Sequence, residues 1–380
     1  MNLLSIGGSD PSSGAGIQSD IKTFDMLNGY GLTVITAITG QNTSNFGMIQ
    51  PVSKKILKNQ LELLISDFKI DGIKIGMVYN SDIIKTIHNE LKKLKIPIVL
   101  DPVIKSTTGG SLIEKNAIKD FKKYLIPLAT TITPNKFEAE CLSQIKINSK
   151  KSLLKAALKI QKMGAKSVII TGIETKNKKI SDFILEEKTK YMISGNIIPK
   201  TNHGSGCNHS SALLVSLANG KSLKESAKFS KQFTYNSIRN AKNMGHGIEI
   251  TQIKKRDNIQ TELLNGINNF IGIKNIYKNI PECQTNFVFS KINPKSIKDV
   301  IGIAGRIVKT GNKVMMAGDL EYGGSKHVAT ALLAMNKKFP EIRSAINLKY
   351  NKDNITKLKK TKLIISSYDR NAEPNKIKTK

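Results

Sequence analysis

At 380 residues the chain is long enough for two or three domains of ordinary size. A 39% hydrophobic and 23% charged composition excludes wholesale disorder, collagen and coiled coil. Sixty Lys+Arg against 29 Asp+Glu leave a formal charge of +31, which raises a nucleic acid or a membrane surface as a partner. Only five of the sixty are Arg, and base readout and forked phosphate binding lean on Arg. The charge therefore reads as solvated Lys on exposed faces, with a positive field that favours small acidic substrates, and not as a nucleic-acid groove. Cys141, Cys207 and Cys283 are odd in number and far apart, so they form neither a disulfide framework nor a zinc ribbon. The opening Met1 to Gly8 lacks a basic flank and is too short for a signal peptide, and no apolar run reaches the roughly 18 residues of a membrane span. The expectation is a cytoplasmic protein with no membrane partner.

From the start to about residue 245, short apolar runs alternate with helical patterns. Leu3 to Ile6 reads as a strand ending in glycines, followed by Ile17, Ile21, Phe24 and Leu27 at helical spacing with Gly29 as the stop. Leu32 to Ile38 and Gly72 to Ile75 read as further strands. A Lys-rich amphipathic helix from Asp82 to Lys95 leads into the strand Ile98 to Asp101. Thr130 to Thr133 and Val168 to Ile170 continue the series, and strands separated by such helices predict a parallel sheet covered on both faces. Two helices close this region, one after Gly206 ending at Gly220 and one opened by Ser222 and Glu225 at capping-box spacing. The polar stretch 248–259 reads as a linker between a first domain, 1–247, and a second, 260–380. The second domain carries a strand at Asn286 to Phe289, a turn at Asn293-Pro294, a strand-turn-strand across Arg306 to Met316 and a helix from Lys326 to Asn336.

Three segments carry chemistry. Asn202-His203-Gly204-Ser205-Gly206-Cys207 stands immediately before an apolar helix. Glycines let the backbone approach a ligand, and a helix start offers free N–H groups and a positive dipole end. The segment reads as an anion turn able to hold the charge that develops in phosphoryl transfer, or as a plain helix entry beside a buried Cys. The same dipole predicts that the Cys207 thiolate is favoured. His203, Cys207 and His209 lack a fourth ligand for a metal site. The second segment, Gly7-Gly8-Ser9-Asp10-Pro11-Ser12-Ser13-Gly14-Ala15-Gly16, lies between the first strand and first helix, where open α/β sheets place ligands. It is not the dinucleotide fingerprint, and Gly220-Lys221-Ser222 lacks the first glycine of a Walker loop. The third comprises Asp101-Pro102-Val103 and Thr133-Pro134-Asn135-Lys136-Phe137-Glu138 at neighbouring strand ends. Asp101, Asn135 and Glu138 suit Mg²⁺ held through waters beside a nucleotide, or Glu138 simply caps a helix.

Together these segments resemble the ribokinase superfamily and, within it, the hydroxymethylpyrimidine/phosphomethylpyrimidine kinases of thiamine synthesis. The opening through Ile17-Gln18, with Asp20 and Lys22-Thr23-Phe24, carries the likeness, as do Thr36 to Thr43, Gly76-Met77 and Gly204 to Cys207. The resemblance implies an α/β fold, a ribokinase-like sandwich of a parallel sheet with helices on both faces, and a smaller C-terminal α/β domain. It also implies ATP and Mg²⁺ as cofactors, an aminopyrimidine alcohol and its monophosphate as successive acceptors, and a homodimer. By the same resemblance Gln41 hydrogen-bonds the ring with Gly8 and Met77 beside it, Gly204, Ser205 and Gly206 form the anion hole, and Cys207 is the base. Asn135 and Glu138, with Asp101 nearby, organise Mg²⁺. Where many relatives have Lys-Gly-Gly, this chain has Thr171-Gly172-Ile173, so a cation near the phosphates is expected from the Lys-rich surroundings.

The C-terminal segment resembles an archaeal-type thiamine-phosphate synthase domain through Pro281-Glu282 with Asn286, Gly305-Arg306-Ile307-Val308, Glu321 to Ala329, Pro340 to Arg343 and Asn347. The likeness implies that Arg306 forks onto a phosphate or pyrophosphate and that His327 steadies a leaving pyrophosphate, with a thiazole phosphate as co-substrate. In relatives the domain continues past the point matching Asp369 to Pro374, so an incomplete synthase is expected here. Two other readings stand beside this one. One is a pyridoxal-type kinase. The other is a thiamine-phosphate-sensing regulator, for which the chain offers no convincing helix-turn-helix.

Overall fold

The computed structural model describes residues 1–106, 109–175, 179–200, 202–253 and 257–360. The segment 369–374 and the basic end of the chain lie outside them. The chain divides into two compact units, Met1–Lys254 and Lys255–Lys380.

The first unit is built on a nine-stranded sheet in the order β3-β2-β1-β4-β5-β6-β7-β8-β9. Its strands are β1 (Asn2–Ser9), β2 (Tyr30–Gln41), β3 (Phe46–Pro51), β4 (Gly72–Ile75), β5 (Ile98–Leu100), β6 (Thr131–Ile132), β7 (Ser167–Thr175), β8 (Lys179–Glu186) and β9 (Thr189–Asn196). From β2 to β7 the strands run parallel. Period-two alternation splits each strand between two cores. Leu4, Ile6, Ile73 and Ile75 pack under helices α2 (Lys54–Asp67), α3 (Ser81–Leu91), α5 (Lys136–Ser143) and α6 (Lys150–Gln161). Leu3, Val99, Ile169 and Ile184 pack with α1 (Gly16–Met26), α7 (Ser205–Ala218) and α8 (Leu223–Arg239) on the other face. A short helix, α4 (Ala117–Asp120), precedes β6.

The expected parallel sheet is present from β2 to β7, and its edge strands depart from it. β3, β8 and β9 run antiparallel to their neighbours. The cause is connection length: Asn42 to Asn45 joins β2 to β3, and Glu187-Lys188 joins β8 to β9. Links that short allow only hairpins, whereas a parallel neighbour needs a crossover of a dozen residues or more. A two-stranded parallel pair, β10 (Asn202–His203) with β11 (Glu249–Ile250), ties the stretch read as linker back to the residues before α7. Parallel strands deliver their C-terminal ends to one side, so the segments after β1, β4, β5, β6 and β7 gather at one edge.

The second unit is organised around a four-stranded antiparallel sheet, in the order β16-β13-β12-β17. Its elements are α9 (Asn258–Gly272), β12 (Phe287–Ser290), β13 (Val300–Ile303), β14 (Arg306–Thr310), β15 (Lys313–Ala317), β16 (Leu320–Tyr322), α10 (Lys326–Asn336), β17 (Ser344–Ile346) and α11 (Lys352–Lys359). β14 and β15 form a separate hairpin turned by Gly311 at φ +60°. Among the described residues no helix is long and apolar enough to cross a membrane.

Candidate active site

The register of β1 against β2 slips between Gly7 and Gly8, which swings the chain out of the sheet into the turn before α1. Asp10 organises that turn. Its buried carboxylate accepts from the Ser12 N–H at 2.9 Å, the Ser12 hydroxyl at 2.8 Å, the Ala15 N–H at 2.8 Å and His203 Nε2 at 3.0 Å. Burial alone would raise this carboxyl, but the His203 ring and the Ser12 and Ala15 donors outweigh it and hold the group down at about 2. His203 belongs to β10, so the same bond latches the first glycine turn to the turn that opens α7.

The two turns also meet through missing side chains. Gly204 sits at φ +98°, and a Cβ there would overlap the carbonyl oxygen of Gly14; a Cβ on Gly14 would overlap the His203 ring. Behind this contact, the Thr251 hydroxyl donates to the His203 carbonyl at 3.0 Å, Asn208 Nδ2 donates to Thr251 at 3.0 Å, and Ser19 donates to Asn208 Oδ1 at 2.9 Å. The starts of α1 and α7 are thereby held side by side.

Beneath them lies a buried polar floor. Lys74, on otherwise apolar β4, donates to both Asp20 oxygens at 3.0 and 2.9 Å, and Asp20 also accepts from Ser5 at 2.6 Å and Ser211 at 2.8 Å. Asp101, just past β5, accepts from Ser210 at 3.0 Å. Glu138 forms a capping box with Asn135: Asn135 Oδ1 accepts the Glu138 N–H at 3.0 Å and Glu138 Oε2 accepts the Asn135 N–H at 2.9 Å. Burial, then the neighbouring Asp101, pushes the Glu138 carboxyl up to about 8. Burial likewise raises Asp101, against the pull of Lys74 and Ser210. Two buried carboxylates with spare lone pairs are hard oxygen donors of the type Mg²⁺ takes alongside phosphate and water. Among the described residues no three His, Cys, Asp or Glu side chains gather as a metal cage.

Gly8, Gln41, Met77, Asp101, Asn135, Glu138, Gly204, Ser205, Gly206 and Cys207 all line one cavity of about 1070 Å³. The Gln41 amide, at the end of β2, makes no hydrogen bond to any described residue. Gly8 admits Met77: a Cβ on Gly8 would lie 2.7 Å from the Met77 sulfur. At the far wall Asp182 accepts from the Gly172 N–H at 3.2 Å and pairs with Lys231 of α8 at 3.0 Å. The lysine beside Thr171-Gly172 thus comes from α8.

The expected ready thiolate at Cys207 is corrected. Burial pushes the thiol up to about 12; Lys74 pulls it down, Asp20 and Asp101 raise it further, and the Gly16 N–H bonded to the sulfur lowers it. Desolvation outweighs the helix dipole at this position. Arg306 and His327 lie in the second unit at exposed positions. The Arg306 guanidinium donates to its neighbour's carbonyl, Gly305, at 2.9 Å, and His327 stands in the first turn of α10.

Lys74, the Asp10–His203 latch, and the pair Asp182 and Lys231 are site features that motif reading passed over. Their signal was present: a lone Lys inside the apolar run Gly72 to Ile75, and an Asp and a His within two glycine turns. His203 and His209, weighed above as metal ligands, face different partners, Asp10 for the first and Ser230, at 3.1 Å, for the second.

The phosphomethylpyrimidine kinase profile matches residues 10–252. The chain belongs to the phosphomethylpyrimidine kinase family. The thiamine-phosphate synthase ThiN profile matches residues 262–380, so kinase family and synthase domain are joined in one chain. The bifunctional thiamine biosynthesis protein ThiDN of Methanocaldococcus jannaschii is 32% identical over 384 aligned positions, covering all of this chain and 87% of that protein. A hydroxymethylpyrimidine/phosphomethylpyrimidine kinase of Aquifex aeolicus is 38% identical over 252, covering 66% of this chain and 99% of that protein. The Staphylococcus aureus pyridoxal kinase solved with AMP-PCP and pyridoxal superposes with a TM-score of 0.62 at 33% identity, over 68% of this chain and 95% of that one. The ribokinase-like fold of this kinase family is thus shared by an enzyme holding a nucleotide analogue and a pyridine together.

Two outcomes follow from the latched turns. Gly204→Ala and Gly220→Ala both place a side chain at positive φ, a cost of roughly 1–2 kcal/mol each. Gly220 has open space around it and Gly204 does not, so urea unfolding should show the Gly204 variant clearly the less stable, and equal losses would contradict the docking. The depressed Asp10 carboxyl contributes stability that is complete above the ordinary carboxylate range and is lost as pH falls from about 4 to 2. Asp10→Asn should lower stability at neutral pH and flatten the melting-temperature decline across that window.

Proposed function

We propose that the first unit is an ATP-dependent kinase acting on 4-amino-5-hydroxymethyl-2-methylpyrimidine and then on its monophosphate, giving the diphosphate used in thiamine synthesis. The observation that carries this reading is the single cavity, with a free ring-facing amide at Gln41 and an anion turn at Gly204 to Cys207. The pyrimidine lies against Met77 and Gly8 with its exocyclic amine on Gln41. The terminal phosphoryl group of ATP sits over the amides that start α7, where no reorganisation is needed as charge spreads over its oxygens. Asp101 and Glu138, with Asn135, would hold Mg²⁺, which would supply neutralising charge to the phosphates.

Cys207 serves as the base that takes the proton of the alcohol. In the second transfer the acceptor is a phosphate oxygen, already anionic, so no proton need be removed. The kinase domain is assigned to 1–247 and the second domain to 260–380, with 248–259 between them. For that second domain we infer a thiamine-phosphate synthase-like role in which Arg306 and His327 meet pyrophosphate; a cytoplasmic homodimer completes the reading. A pyridoxal-type kinase is the second reading, favoured by the likeness to the staphylococcal pyridoxal kinase, and side-by-side turnover of the pyrimidine and pyridoxal decides between them.

Cys207→Ala should slow phosphorylation of the alcohol by on the order of 100-fold and that of the monophosphate far less, read by ³¹P NMR of each half-reaction. Equal losses in both would contradict the base role and leave Cys207 a packing residue of the anion turn.

A further inference from the structure

Lys74 is the buried cation at the cavity floor that the mechanism above does not use. Its side chain is 2% exposed, and that remnant faces the cavity. An ammonium has three N–H donors. Two go to the Asp20 oxygens, and no described residue accepts the third. Asp20 cannot turn away to accommodate it, because Ser5 and Ser211 occupy its remaining lone pairs. The ammonium lies beside the chain just before Met77, in space that a side chain at Gly76 would take: a Cβ there would lie 2.9 Å from Lys74 Nζ. The carboxylate of Asp101 also acts on it electrostatically. Lys74 thus lines the cavity shared by the residues assigned to the ring and those assigned to the transferring group, and on the kinase reading the acceptor oxygen lies between those two sets.

Resting on the kinase reading, we propose that Lys74 is a substrate-contacting residue whose third N–H donates to the acceptor oxygen: the hydroxymethyl oxygen in the first transfer and a phosphate oxygen in the second. The bond from an ammonium is charge-assisted with either acceptor, and an anionic phosphate oxygen adds the attraction of opposite charges, so Lys74 discriminates in favour of the monophosphate. The bond also orients the lone pair of that oxygen towards the incoming phosphoryl group.

The test compares Asp20→Asn with the double variant Lys74→Met/Asp20→Asn, since Lys74→Met alone would strand a buried carboxylate and unfold the chain or repel phosphate. Full-length protein is assayed with ATP and Mg²⁺ against alcohol and monophosphate separately, with a thermal melt of each variant. The expected result is a monophosphate KM about tenfold or more higher in the double variant than in Asp20→Asn, an alcohol KM raised only a few-fold, and an ATP KM within about twofold. If the double variant melts below assay temperature, the milder Gly76→Ala, which pushes on the ammonium, is read the same way. Equal changes for both acceptors, or none, would overturn the proposal while wild-type turnover leaves the kinase reading standing. Absence of wild-type turnover would instead remove the reading on which it rests.

Discussion

The contact between two glycine turns, Gly7 to Gly16 and Asn202 to Cys207, is the constraint on which the site depends. Each turn alone is a strand-to-helix connection of a kind many α/β proteins have. What makes them one structure is that Gly14 and Gly204 pack backbone on backbone, and that Asp10 and His203 close a buried hydrogen bond across the join. The consequence is electrostatic as well as steric. The first turns of α1 and α7 end up adjacent; the Ala15 and Gly16 N–H groups are taken by Asp10 and the Cys207 sulfur, so the amides offered to an anion are those that start α7.

Three lysines in the lining of that cavity are paired with acids, in contrast to the +31 of the chain. Lys74 faces Asp20, Lys231 faces Asp182 and Lys200 faces Glu249. Two further acids of the lining, Asp101 and Glu138, are pushed upward by burial. A site arranged in this way has a standing demand for positive charge beside those two carboxylates, and an outer surface whose field draws acidic ligands in. Both features suit a nucleotide that arrives with a divalent cation.

Much of this was legible in the sequence because it rests on local chemistry. Strand alternation, the Ser222 and Glu225 capping box of α8 and the two glycine turns announce themselves by residue type and spacing. The antiparallel edges were harder, since β8 and β9 look like any apolar run until their links are seen to be too short for a crossover. The protonation of Cys207 was misread for a physical reason: a helix start is visible in a sequence, but the depth of burial that opposes it is not. The cue for Lys74, one lysine inside the short apolar run Gly72 to Ile75, is weak in a lysine-rich chain until that strand proves to be buried on both faces. Arg306 and His327 illustrate the converse, residues conspicuous in a motif whose side chains lie at the surface of the second unit.

A structure of the ternary complex with a non-hydrolysable ATP analogue and the pyrimidine alcohol tests the central claim most directly. The account predicts the terminal phosphate on the amides of Ser205 to Cys207, the ring amine on the Gln41 amide, and the hydroxymethyl oxygen between them. A nucleotide bound away from the start of α7, or a ring bound outside the space bounded by Gly8, Gln41 and Met77, would contradict it.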